Sequence, residues 1–105
     1  MIKDQIQQLA KKYAPEFIEI RHQIHANPEL SYQEFETSKY IQSKLTEFGI
    51  SYEIKATTGV VGLIQGKNPH SRVVALRADI DALPILEANE VSYASKNKGI
   101  MHACG

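Results

Sequence analysis

The hydrophobic period of this chain changes at Gly49, and that switch limits its possible folds more than any other feature. Before it, apolar side chains fall at Ile2, Ile6, Leu9, Tyr13, Phe17, Ile20 and Ile24, with gaps of four, three, four, four, three and four. Such spacing is one stripe of an amphipathic helix, a face that packs on a core. Pro15 interrupts the stripe. Its ring removes a backbone donor and crowds the preceding turn, so either a kink or two helices is expected, with Pro15 in the first turn of the second. Asn27-Pro28 ends the run, because the residue before a proline is pushed out of helical conformation. Another helix is expected from near Ser31, whose spacing to Glu34 matches a capping box. Its apolar face is Phe35, Ile41, Leu45 and Phe48, and Gly49 is a ready C-cap.

After Gly49 the pattern is that of strands. Residues 51–56 alternate like a half-buried strand, and residues 59–65 and 72–78 are short and mostly apolar. Between the last two, Gly66-Lys67-Asn68-Pro69-His70-Ser71 has turn chemistry and predicts an antiparallel hairpin, with His70 solvated in the turn. The unbroken apolar run from Val73 to Leu76 predicts a central strand covered on both faces. Residues 85–103 show no clear period and read as loop, with a short strand around Val91 to Ala94. The fold class is α/β, N-terminal helices followed by strands of a mixed sheet.

Composition narrows the class of function by exclusion. A chain of 105 residues is one domain by length. With 43% hydrophobic and 23% charged residues it lies near the globular average, far from disorder. Twelve basic residues balance twelve acidic ones, so no net field favours nucleic acid or a membrane surface. The N-terminus is too polar for a signal peptide, and no apolar run approaches membrane-spanning length. The single cysteine forms no internal disulfide, which suits a reducing cytoplasm.

The residues that could carry chemistry sit late in the chain. Arg77, Asp79 and Asp81 follow the apolar run 73–76 directly, and Pro84 limits how far a ladder could continue. Ligands collect at the carboxyl ends of strands in open α/β sheets. An aspartate there could bind metal, or orient a histidine ligand through its second ring nitrogen. The plainer alternative is that Arg77 pairs with Asp79 or Asp81 at a polar edge. Met101-His102-Ala103-Cys104-Gly105 closes the chain. Thiolate, imidazole and carboxylate are the groups that hold borderline-soft metals, and these segments contain all three. The chain thus reads as part of a metal site whose remaining ligands lie beyond its last residue. Taken alone, a lone cysteine is more often a small buried hydrophobe. His22 and His25, three apart on a helix, read as packing or capping residues.

Together these segments resemble the amidohydrolase branch of the M20 metallopeptidase family, the group of hippurate hydrolases, auxin-conjugate hydrolases and N-acetyl-diaminopimelate deacetylases. Three blocks carry the resemblance in the family's order. The first runs from His25-Ala26-Asn27-Pro28-Glu29-Leu30 through Glu34 to Thr37. The second is Leu76-Arg77-Ala78-Asp79-Ile80-Asp81-Ala82-Leu83-Pro84-Ile85, with Glu87 two residues on. The third is Gly99-Ile100-Met101-His102-Ala103-Cys104-Gly105, which the family continues with His-Asp.

The resemblance implies a hydrolase with two divalent metal ions (manganese, zinc or nickel) that cleaves the amide bond of an N-acyl amino acid or a related peptide-like conjugate. It implies that Cys104 ligates metal and that Asp81 is the active-site aspartate supporting a ligand histidine. Asp79 stands where other branches carry a ligand histidine, so a direct ligand role does not follow for it. Residues 1–105 would be the N-terminal portion of an α/β/α catalytic domain, inactive by itself. The lid or dimerisation domain, through which the complete enzyme could form a homodimer, would lie outside this chain. The reading from another class is a short non-catalytic module that binds a partner through an open sheet edge.

Overall fold

The computed structural model describes residues 1–104. Two helices, α1 (Ile2–Ala26) and α2 (Phe35–Glu47), are followed by two strands, β1 (Ser51–Lys55) and β2 (Gly59–Leu63). The α/β class and the change of period after Gly49 are as the sequence predicts.

Helix α1 is one continuous helix with Pro15 inside it, not two. The missing amide costs one hydrogen bond, which the turns on either side carry without a break. Its apolar stripe packs only toward the C-terminal end, where Ile20 and Ile24 are half-buried. Toward the N-terminus the expected core face stays open, with Ile2 at 74% and Ile6 at 60% exposure. Phe17 meets Phe48 at a ring-centroid distance of 6.0 Å, joining α1 to the end of α2. Asn27 closes α1 by donating its backbone N–H to Ile24 O and its side-chain amide to Gln23 O. Pro28 behind it is fully buried.

The start of α2 differs from the expected capping box. The helix begins at Phe35, and the Ser31 hydroxyl points to Asp81 instead. The cap comes from Glu29. Its Oε1 accepts from Thr37 N–H at 2.5 Å and Thr37 Oγ1–H at 2.6 Å, and its Oε2 from Glu36 N–H at 3.2 Å. A carboxylate is the stronger acceptor for orphan amides at the positive end of a helix, so it displaces the serine. Glu34 is turned inward, accepting from Tyr32 N–H at 2.6 Å and from the buried Thr58 Oγ1–H at 2.8 Å. At the other end, Gly49 has φ +71° and Ile50 N–H reaches back to Leu45 O at 2.9 Å. That is the Schellman closure expected of Gly49.

Strands β1 and β2 pair antiparallel, from Ser51 opposite Leu63 to Lys55 opposite Gly59. Ala56 and Thr57 both have positive φ in the connection. A Cβ on Gly59 would stand 2.7 Å from Lys55 O, so the turn accepts no side chain there. Gly62 lies against the side chains of Leu45 and Ile50, where α2 packs on the hairpin.

The hairpin predicted between residues 59–65 and 72–78 does not form. Residues 66–71 do turn, with Ser71 N–H on Asn68 O, but residues 72–78 join no strand ladder among the described residues. Val73 and Leu76 are 84% and 97% exposed, so the predicted central strand is corrected to an uncovered extended run. A strand has no hydrogen bonds of its own, and no backbone among the described residues forms a ladder with residues 72–78. The strand expected around Val91–Ala94 is a turn, closed by Ala94 N–H on Val91 O. No helix among the described residues is long and apolar enough to cross a membrane.

Candidate functional site

The well-buried part of the molecule is where the three motif blocks meet. Ala82 N–H donates to Glu29 O at 2.7 Å, and Leu30 and Ala82 form a parallel bridge that joins the first block to the second. Leu83 and Met101 exchange hydrogen bonds of 2.9 and 3.0 Å, joining the second block to the third. Small side chains allow this approach: Ala26 and Ala82 are the buried apolar residues beside Pro28. Asn97 Nδ2 donates to Pro28 O and Lys96 N–H to Ala26 O, which ties the segment just before the third block to the end of α1.

Each candidate residue has a definite place in this junction. Asp81 accepts the Ser31 hydroxyl at 2.5 Å. That bond, with a backbone N–H and the nearby His102 imidazole, holds its carboxyl below the usual range. His102 is held toward the neutral imidazole. Burial lowers its pKa, and His25 nearby adds to the effect, while Asp81 opposes it. Its Nε2 is buried with no hydrogen-bond partner among the described residues. Asp79 is exposed and paired with Arg77 at 3.0 Å, the plainer of the two readings for that residue. Cys104 is exposed and carries a free thiol.

Two residues outside the candidate set prove central. His25, read from the sequence as a packing or capping residue, reaches Glu87 with Nε2 at 3.0 Å from both carboxylate oxygens. An ionised carboxylate only accepts, so Nε2 carries the proton in this bond. Glu87 also accepts from Ser95 N–H at 2.7 Å. Ser95 N–H first, then His25, hold the Glu87 carboxyl below the ordinary range. The presence of both residues in motif blocks was the one available signal; the distance in sequence hid the contact. A cleft of about 440 Å³ between α1 and α2, lined by Gln23, Ile24, Thr37 and Tyr40, contains none of the candidate residues.

Among the described residues no group of three His, Cys, Asp or Glu side chains is placed to hold a metal ion. Thiolate and carboxylate donors suit a borderline divalent ion, but these side chains alone do not complete a site. The α/β chain brings Asp81 close to Ser31 and His102, while Asp79 and Cys104 stand exposed. No protein-family model matches the chain. It is 52% identical over 90 residues to thermostable carboxypeptidase 2 of Saccharolobus solfataricus, covering 84% of this chain and 23% of that protein. It is 43% identical over 106 residues to an N-acyl-L-amino acid amidohydrolase of Geobacillus stearothermophilus, covering 100% and 28%. Its fold matches the crystal structure of Bacillus subtilis YXEP, described as a dinuclear metal-binding peptidase of the M20 family. The TM-score is 0.83 at 44% identity, over 90% of this chain and 27% of that one. The chain spans about a quarter of the length of the curated relatives it matches. Over nearly its whole length the chain is thus similar to the N-terminal part of M20-family hydrolases, as the three motif blocks imply.

Proposed function

We propose that the protein carrying this chain is a metal-dependent amidohydrolase acting on N-acyl amino acids, with residues 1–105 forming the N-terminal portion of its catalytic domain. The junction of the three blocks carries this reading, because it gathers Asp81, His102 and the Cys104 segment at one place in the fold. The dinuclear description of the similar Bacillus subtilis structure supports two metal ions. The similarity to an N-acyl-L-amino acid amidohydrolase over the whole chain supports the substrate class.

In this reading Cys104 ligates metal as thiolate, and Asp81 orients a histidine ligand that lies outside the chain. Asp79, held by Arg77 in solvent, stays out of the ligand set. When bound, the metals would lower the pKa of water and polarise the scissile carbonyl. A second substrate reading, cleavage at the carboxyl end of a peptide, is favoured by the similarity to a carboxypeptidase. Hydrolysis of N-acetyl and N-benzoyl amino acids and of dipeptides, with added manganese, zinc or nickel, separates the two. The longer protein should turn over N-acyl amino acids in a metal-dependent way, and the 105-residue chain should not. Turnover by the chain alone would show that the site is placed wrongly.

A further inference from the structure

Residues 83–101 form a loop closed at its base and pinned at its tip. The base is the Leu83–Met101 bridge. The tip rests on the end of α1, where Tyr93 stacks on His22 at 3.7 Å between centroids and Arg21 lies over the same ring. Between base and tip, Glu87 turns back toward His25, with only 5% and 11% of the two side chains exposed. The Glu87 carboxylate accepts from His25 Nε2–H, from Ser95 N–H at 2.7 Å and from Asn89 Nδ2 at 3.3 Å. An ion so enclosed has little water to replace a lost donor, so each partner is held firmly. The segment 102–104 leaves directly from the base of this loop.

We propose that the His25–Glu87 pair is a positioning latch. It fixes the loop 83–101 against α1 and, through the Leu83–Met101 base, sets where His102 and Cys104 stand relative to Asp81. The latch itself stands on geometry; only its consequence for metal binding rests on the proposed function above. His25 links the first motif block to Glu87 at the end of the second, and through the Leu83–Met101 base indirectly to the third. Glu87 receives it because the Ser95 amide already orients one of its oxygens.

Residue-resolved amide hydrogen exchange on the longer protein tests the latch. In His25→Leu, the amides of Leu83, Ser95, Lys96 and Met101 should exchange about tenfold faster or more, relative to those of Ser38 and Phe48 in and beside α2. His25→Gln keeps an N–H donor and should restore most of the protection. Equal acceleration of the α2 amides, or none at the loop, would overturn the latch. Failure of the glutamine variant to rescue would assign the effect to ring packing on Tyr93 and also overturn it. In the longer protein, cobalt(II) reads the consequence through its thiolate absorption band. His25→Leu should keep the band but weaken cobalt affinity about tenfold, the effect of losing a positioning partner around a metal site. Unchanged affinity beside faster exchange would refute the positioning role. Lack of any thiolate band in the parent would instead refute the metal reading and leave the latch intact.

Discussion

Glu29, Glu34 and Glu87 carry the same side chain and do three different things, because each meets different donors. Glu29 finds the free amides of α2, Glu34 the Thr58 hydroxyl, and Glu87 the His25 ring. The same logic separates the two aspartates. Asp79 meets a guanidinium in solvent, where an ion pair is worth little. Asp81 meets a serine hydroxyl and a neighbouring imidazole in the junction. In the longer protein, Cys104→Ser should therefore weaken metal binding by roughly tenfold or more and abolish most turnover, since a serine hydroxyl stays protonated and ligates poorly. Asp81→Asn should keep part of the metal affinity and lower the rate sharply. Metal content and kcat of the two variants check these roles. Full metal content and a normal rate in Cys104→Ser would make the cysteine a bystander.

At the scale of elements, α2 depends on a cap from outside the helix. Glu29 lies in the turn after α1 and reaches the amides of Glu36 and Thr37 across it. Glu29→Ala should cost about 1–2 kcal/mol, the usual loss for a helix N-cap with a charge-assisted bond. Ser31→Ala should leave α2 almost unchanged, because its hydroxyl serves Asp81. Thermal melting of the two variants followed by circular dichroism separates these outcomes. A larger loss in Ser31→Ala than in Glu29→Ala would restore the capping box and discard the carboxylate cap.

The molecule as a whole is open. Its radius of gyration is 16.0 Å, against about 13 Å for a compact domain near this length. The excess comes from the free half of α1 and the uncovered run 72–76, where Phe17, Val73, Val74 and Leu76 face solvent. Apolar surface on this scale, beside unpaired backbone, invites association. The 105-residue chain is expected to self-associate or to melt broadly at low temperature. Sedimentation with concentration and the width of the thermal transition measure this. A monomer with a sharp cooperative transition would show that these faces tolerate water.

The sequence by itself determined the elements whose causes are local. The stop at Asn27-Pro28, the Gly49 closure and the strand character of residues 51–55 follow from residues within a turn of each other. So do the motif blocks, whose order sufficed to name the family. Only the tertiary structure decided what depends on distant partners. Ser31 meets Asp81 across 50 residues and His25 meets Glu87 across 62, contacts that no local pattern encodes. The strand predicted at 72–78 failed for the same reason. An apolar run states that a segment prefers burial, but a strand exists only when another backbone is there to take its hydrogen bonds.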